Sequence, residues 1–593
     1  MSKEFLLGNE AIARGLLESG VDVATGYPGT PSSEILAALA PHAKNGGFHV
    51  EWSVNEKVAM EVAIGAAWAG ARSVVTMKHV GLNVAADPFM TLSHTGVVGG
   101  MVVIAADDPF CHSSQNEQDS RMYAKFAKVP CLDPASPQEA KDMIAYAYEL
   151  SEKYQTPVLF RPTTRVSHGK AGVSIGELPG KMRQPAFTKN VERFVVLPRH
   201  TRALLKKLNA KQEALSKELM NSPWNRLSIS EGAKLGIVAS GVSSIYVEEA
   251  LESIGAPVSY LKIGAYPVDP LLIQKLADSV DRVLVIEELM PVLEEQVRMY
   301  ADGVMGKMTG EVPHEGEFDV LRVTGIISKA LGQAPPAIVE PQAGIELPLR
   351  PPAMCPGCPH RATFYALKSV FKDESVFASD IGCYTLGTQM GTVDTCLCMG
   401  ASITIASGLS FAGVRSKIAC TIGDSTFLHT GIPGLINAVY NKADITVVIL
   451  DNRTTAMTGH QVHPALGTTI TGDITTEVSL ESLVKACGVE HMRIVNPFDL
   501  ETTKAAFKEA YETPGVNVVI SRQPCIITAR REGIRRKQYE VVEDLCEGCR
   551  RCVKFGCPAM EFVDGKAKIN DQCAGCGMCA SLCQFGAIKV RSR

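Results

Sequence analysis

The chain reads as a multidomain α/β protein, with three blocks of parallel sheet covered by helices on both faces and a small cysteine-rich α+β module at the end. Two observations carry this. Short β-rich apolar runs alternate with Ala-, Glu- and Lys-rich helical stretches along most of the 593 residues, the pattern of buried parallel strands joined by crossover helices. Eight of the 18 cysteines crowd between Cys546 and Cys583. A composition of 46% hydrophobic and 21% charged residues is ordinary for a globular chain long enough to bury several cores.

In the first block, strands at Val74–Met77, Val102–Ala105 and Val158–Phe160 alternate with helices such as Glu56 to Gly70. A Pro/Gly-punctuated stretch follows Gly169, and a polar helical run from Arg202 to Met220 bridges to the second block. Its strands are Leu235–Ser240 and Arg282–Glu287. A Pro-rich linker, Pro335 to Pro352, precedes the third block, with strands near Ile418–Ile422, Thr446–Leu450 and Asn517–Ile520. A basic hinge containing Arg530, Arg531, Arg535, Arg536 and Lys537 leads into the tail. The expected boundaries are 1–190, a helical linker at 191–232, then 233–335, 336–535 and 536–593.

A net charge of −4 creates no field that would draw in nucleic acid or an anionic membrane surface, so neither is an expected partner. Charged residues interrupt the N-terminus, and no run reaches ~18 uncharged apolar residues. A cytoplasmic location is therefore expected. In such a setting clustered cysteines point to metal ligation in preference to disulfides.

The tail carries Cys546-x2-Cys549-x2-Cys552-x4-Cys557-Pro558 and Cys573-x2-Cys576-x2-Cys579-x3-Cys583. Three cysteines two residues apart wrap one cubane, while the fourth reaches across to the other. This predicts two [4Fe-4S] clusters of the bacterial ferredoxin type, one on Cys546, Cys549, Cys552 and Cys583, the other on Cys573, Cys576, Cys579 and Cys557. Paired zinc sites are the alternative, because Cys-x2-Cys pairs also bind zinc. The pattern departs from bacterial ferredoxins in the four residues before Cys557 and in Gln584 after Cys583.

In the third block, Gly423-Asp424-Ser425 closes one strand and Asp451-Asn452 ends the next. The spacing resembles the Gly-Asp-Gly…Asn motif of thiamine-diphosphate enzymes, with Ser425 in place of the second glycine. That resemblance implies thiamine diphosphate bound through Mg²⁺, with Asp424, the side-chain carbonyl of Asn452 and the backbone carbonyl of Thr454 as oxygen ligands. Gly423, Ser425 and Met457 are further cofactor contacts. Ordinary turn residues after buried strands are the alternative. Met457-Thr458-Gly459-His460-Gln461-Val462-His463-Pro464 looks like a stretch of the 2-oxoacid:ferredoxin oxidoreductases.

Gly26-Tyr27-Pro28-Gly29-Thr30-Pro31-Ser32-Ser33 is similar to another segment of that family. The Thr30 hydroxyl is the candidate to bond the substrate's carboxylate or ketone oxygen, with a plain turn into a helix N-cap as the alternative. Asn55-Glu56-Lys57-Val58-Ala59 fits the superfamily's Glu-x-x-Ala helix start. Glu56 is then the carboxylate on the aminopyrimidine that activates C2; an exposed first-turn glutamate favoured by the helix dipole is the other reading. Cys355-Pro356-Gly357-Cys358 and Ile381-Gly382-Cys383 resemble the family's ligands for a cluster near thiamine, with Cys525 as fourth ligand. Buried free cysteines explain the same residues. Cys111, Cys131, Cys396, Cys398, Cys420 and Cys487 fit no such pattern and read as core or reactive thiols.

The domain order, pyrimidine-binding, transketolase C-terminal-like, diphosphate-binding and two-cluster ferredoxin, resembles the large subunit of the indolepyruvate type of 2-oxoacid:ferredoxin oxidoreductase. What this implies is a coenzyme A-dependent oxidative decarboxylation of aryl 2-oxoacids such as indolepyruvate and phenylpyruvate. The products are an aryl-acetyl-CoA, CO₂ and reduced ferredoxin, and a smaller β subunit is the partner in an α2β2 assembly. Three alternatives stand beside it: a pyruvate or 2-oxoglutarate enzyme of the same family, a noncatalytic electron-transfer subunit, and a non-oxidative thiamine decarboxylase or carboligase with no use for the cysteines. The basic hinge is either a solvated linker or an attractive patch for an acidic ferredoxin.

Overall fold

Strands buried on both faces lose the polar alternation of half-exposed ones, and Met101–Ala106, Ile418–Gly423 and Ile445–Asp451 are each buried at every position. In the computed structural model, which describes residues 2–180, 183–334 and 351–591, such strands form the cores of two units, Met1–Ala343 and Gly344–Arg593. Most of the expected Pro335–Pro352 linker lies outside the described residues.

The first unit contains a seven-stranded sheet in the order Ala265–Tyr266, Cys131–Leu132, Val158–Phe160, Met101–Ala106, Ser73–Lys78, Val23–Gly26, His49–Trp52. All neighbours run parallel except Ala265–Tyr266, which pairs antiparallel with Cys131–Leu132. That edge strand comes from the expected second block, so the two blocks share a sheet. The helix Glu56–Trp68 starts where the Asn55 side chain accepts from the Val58 amide at 2.9 Å, satisfying one of the free N–H groups of the first turn. The helix Pro198–Met220 buries Leu204, Leu208, Leu215 and Leu219, one stripe at helical spacing.

A second sheet has the order Val304–Met305, Arg282–Ile286, Leu235–Ser240, Ser259–Ile263, Arg226–Ser228. Arg226–Ser228 lies inside the stretch expected to be helical linker, yet it pairs antiparallel with Ser259–Ile263 as the edge strand. Two buried arginines hold carboxylates in the first block, and one of them, Arg121, reaches Glu287 of the second. Arg121, 2% exposed, holds Asp119 at 2.6 Å and Glu287 at 2.8 Å; Arg161 holds Asp107 at 2.7 Å and Asp133 at 3.1 Å. Removing one guanidinium would leave carboxylates buried without a counter-charge, the costly way to break such a pair.

The second unit is built on a five-stranded, wholly parallel sheet in the order Val376–Ser379, Ile418–Gly423, Ile445–Asp451, Val516–Arg522, His491–Val495. The tail forms two antiparallel pairs, Tyr539–Val541 with Ile588–Val590 and Met560–Val563 with Lys566–Ile569, around the short helices Arg551–Lys554 and Met578–Leu582. It is tied to the third block by Arg361, which donates to the Gly556 carbonyl at 2.6 Å. The Phe555 and Tyr365 rings meet edge to face at 5.7 Å. Among the described residues no helix is long and apolar enough to cross a membrane.

Glu288 reports on the joint in the first unit. Its Oε1 accepts from the Phe318 amide at 2.7 Å, its Oε2 is buried without a partner, and burial raises its pKa to about 7. The folded state thus keeps a proton that the unfolded chain releases near 4.5, and stability falls as pH rises between those values. In Glu288→Gln this fall, on the order of 2–3 kcal/mol, is expected to be absent from the denaturation midpoint of the first unit measured between pH 5 and 8. An unchanged slope would mean that Glu288 stays ionised.

Candidate active site

Two neighbouring parallel strands deliver the central residues of the second unit. Gly423 stands opposite Leu450 in the register, so Asp424 and Asn452 emerge together at the carboxyl end of the sheet, where open α/β sheets bind ligands. Asp424 is 2% exposed. Its Oδ1 accepts from the Ser425 amide at 2.8 Å and its Oδ2 from the Arg453 amide at 2.9 Å, with His463 Nε2 at 3.2 Å. Burial pushes the carboxyl's pKa up, but the charge and hydrogen bond of His463 and the Ser425 amide outweigh it and hold the group below the ordinary range. Asp451 goes the other way, raised by burial and by the Asp424 charge against its partner Arg522.

Asn452 donates from Nδ2 to His360 Nε2 at 3.2 Å and accepts on Oδ1 from the Thr454 amide at 3.2 Å. Burial lowers the His360 pKa to about 4, which leaves the imidazole neutral and able to accept. Thr454 bonds the Gln461 carbonyl, and Ser425 accepts from the Thr455 hydroxyl at 2.9 Å. Gly423 lies under Tyr384, where a Cβ would come within 2.7 Å of the ring. Met457 is half exposed on the loop that follows. A buried anionic carboxylate, an amide oxygen and a backbone carbonyl from one short loop are hard oxygen donors, and this donor set fits Mg²⁺ and a bound diphosphate. The roles of His463, His360 and Asp451 were not assigned from sequence, although Asp451 stands in the Asp451-Asn452 strand end and His463 in the Met457–Pro464 stretch.

In the first unit, Glu56 is the first residue of its helix and 5% exposed, so it is not an exposed first-turn glutamate. Gly81 sits against it, and a Cβ there would come within 2.7 Å of Glu56 Oε1. Lys78, at the end of the strand Ser73–Lys78, donates to the Ser113 carbonyl at 2.7 Å. Burial lowers its pKa, while the charges of Asp108, Glu56 and Cys111 act to raise it. Thr30 is half-buried in the loop between Val23–Gly26 and the helix Ser33–Gly46; Gly29 of that loop rests on the Lys78 side chain. Lys78 thus touches both the Thr30 loop and the surroundings of Glu56.

Twelve of the 18 cysteines fall into three groups. Burial pushes the Cys358 thiol up to about 12 and Cys383 to about 11, and in each the neighbours add to it: Cys383 and Cys355 on Cys358, Cys525 and Cys355 on Cys383. Cys525 also donates its amide to the Asn452 carbonyl at 2.8 Å, beside Asp424. In the tail, Cys557 joins Cys573, Cys576 and Cys579 around a small cavity, where burial and the other three raise the Cys579 thiol to about 12. Burial, Cys583 and Cys546 raise Cys552; Cys549 is exposed in the loop between Cys546 and Cys552. Thiols that raise one another's pKa in this way are suited to a shared cationic centre that would hold them as thiolates.

Comparison with known proteins agrees with this arrangement. The family of the thiamine diphosphate-binding domain of pyruvate flavodoxin/ferredoxin oxidoreductases matches residues 14–204, and the C-terminal binding domain of thiamine pyrophosphate enzymes matches residues 380–521. The indolepyruvate oxidoreductase subunit IorA of Pyrococcus abyssi is 46% identical over 99% of this chain and 97% of its own. That of Archaeoglobus fulgidus is 45% identical over 99% and 97%, and that of Methanothermobacter thermautotrophicus (strain Delta H) 45% over 100% and 98%. Thiamine-binding α/β domains at both ends of one chain, followed by a cysteine-rich tail and matched along their whole length by these subunits, make the chain a member of the IorA family of indolepyruvate oxidoreductase subunits.

Proposed function

We propose that the chain is the catalytic large subunit of an indolepyruvate ferredoxin oxidoreductase. It converts an aryl 2-oxoacid, coenzyme A and two oxidised ferredoxins into an aryl-acetyl-CoA, CO₂, a proton and two reduced ferredoxins. It works in the cytoplasm with a smaller β subunit, as an α2β2 assembly. The observation that carries the reading is the identity of 44–46% to IorA subunits over nearly the full length of both chains.

Thiamine diphosphate supplies, when bound, a carbon nucleophile and a sink for the electron pair left by departing CO₂. Asp424, the amide oxygen of Asn452 and the Thr454 carbonyl would hold Mg²⁺, and Gly423, Ser425 and Met457 would contact the cofactor. Glu56 holds a proton at N1′ of the aminopyrimidine; its burial keeps water from competing for that carboxylate. The Thr30 hydroxyl bonds a substrate oxygen. Cys355, Cys358, Cys383 and Cys525 would hold one [4Fe-4S] cluster, and Cys573, Cys576, Cys579 and Cys557, with Cys546, Cys549, Cys552 and Cys583, would hold the two clusters of a ferredoxin-like tail; such clusters would supply one-electron carriers.

The test is viologen or ferredoxin reduction by the anaerobically co-purified complex with thiamine diphosphate, Mg²⁺ and coenzyme A. Fastest reduction with indolepyruvate and phenylpyruvate, lost in Glu56→Gln, is the expected result. A lead by pyruvate or 2-oxoglutarate would move the substrate class, and no reduction with any of them would overturn the catalytic assignment. Gly81→Ala is expected to displace the Glu56 carboxylate and lower turnover by about 10²-fold with the thermal midpoint little changed. Cys383→Ser is expected to reduce the iron content by about four atoms per chain; unchanged iron would remove the third cluster.

A further inference from the structure

A cleft of about 780 Å³ opens in the first unit between the helix Pro198–Met220 and the ends of the helices Ala86–Thr95 and Pro137–Tyr154. Arg193, Arg199, Lys207 and Lys211 face it, against a single acid, Glu192. In a parallel sheet the returning helices end beside the amino ends of the strands, and Thr95 and Gln155 precede the strands Met101–Ala106 and Val158–Phe160. Glu56 follows a strand instead. The cleft therefore lies at the opposite end of this sheet from Glu56, outside the machinery described above.

Cations also gather at helix C-termini simply to meet free carbonyls, and that accounts for part of the set. Arg193 donates to the carbonyls of Thr95 and Val97 at 2.9 and 2.6 Å, and Lys211 to that of Gln155 at 3.1 Å. It does not account for Arg199 and Lys207. Arg199 is oriented by His200, a residue 7% exposed, whose Nε2 accepts from Arg199 Nε at 3.0 Å while Nδ1 bonds the Val195 carbonyl at 2.7 Å. An imidazole nitrogen stands where a carboxylate usually would. It fixes the guanidinium without cancelling its charge and leaves both terminal amino groups open for a bidentate acceptor. Among the described residues none of the four cations forms an ion pair. Their mutual repulsion is felt at Lys211, which burial, Arg193 and Lys207 lower to about 8.

We propose that this cleft binds a small polyphosphate-bearing ligand of the nucleotide class. Its volume admits a nucleotide, its excess of cations calls for more than one negative charge, and the Arg199 fork matches a phosphate edge. Two sources share that chemistry: the phosphorylated ADP end of coenzyme A and a free nucleoside polyphosphate.

The experiment is calorimetric titration of the co-purified holoenzyme, saturated with thiamine diphosphate and Mg²⁺ so that the diphosphate site is filled. The probes are coenzyme A, 3′-dephospho-coenzyme A, ATP and inorganic tripolyphosphate. Salt-sensitive binding is expected that weakens at least about tenfold in Arg199→Gln/Lys207→Gln and is unaltered in Lys206→Gln. In the binding that the double variant weakens, a preference for coenzyme A over its dephospho form assigns the first source, ATP bound more tightly than coenzyme A assigns the second, and tripolyphosphate bound as tightly as ATP would overturn the nucleotide class. Both Arg199 and Lys207 are exposed, so the double variant should keep the parent's thermal midpoint without ligand. Binding of no probe below millimolar concentration, or equal affinity in the double variant and the parent, would overturn the proposal.

Discussion

A carboxylate buried at the end of a parallel strand is costly unless its charge is answered, and the second unit is organised around answering it at Asp424. The answer comes from one loop: the Arg453 amide and the His463 ring both reach Asp424. The same loop begins with Asn452, whose side chain meets His360 and whose carbonyl accepts from Cys525. His360 follows Cys358 by two residues. The partners of Asp424, of His360 and of the Cys525 amide therefore lie on one stretch of backbone, Asn452 to His463.

The first unit meets the same constraint with arginine. Arg121 and Arg161 each hold two buried carboxylates; the Arg121–Glu287 pair spans the joint between the two sheets, and the edge strand Ala265–Tyr266 crosses the same joint. This rigid base leaves the two ends of the seven-stranded sheet free for different chemistry. At the carboxyl end, Gly81 and Lys78 crowd a buried Glu56; at the amino end, unneutralised cations face an open cleft. Parallel strands make that division possible, because every connecting loop at one end is carboxyl-terminal and every loop at the other is amino-terminal.

Much of the fold was legible before any coordinates. The strands read at Val74–Met77, Val102–Ala105 and Val158–Phe160 form within a residue of those positions, because continuous apolar runs have no other way to bury both faces. Asp424 and Asn452 were legible as a motif, and they emerge side by side because parallel register aligns successive strand ends. Glu56 was ambiguous. Only burial separates a first-turn glutamate that faces solvent from one enclosed by Gly81, and burial depends on residues 25 positions away.

The sequence by itself determined what repeats at short range: the periodicity of buried strands, the spacing of the tail cysteines, and the residue types at two strand ends. Tertiary structure alone decided what depends on residues distant in the chain. It set Ala265–Tyr266 in the first sheet and Arg226–Ser228 in the second, where an independent block and a helical linker were expected. It also gave His463 and His360 their partners and gathered Arg193, Arg199, Lys207 and Lys211 at one cleft. The physical reason is that pattern along a chain reports which face of an element is apolar, while the pairing of polar and charged groups is settled only when elements pack and each buried charge must find its neighbour.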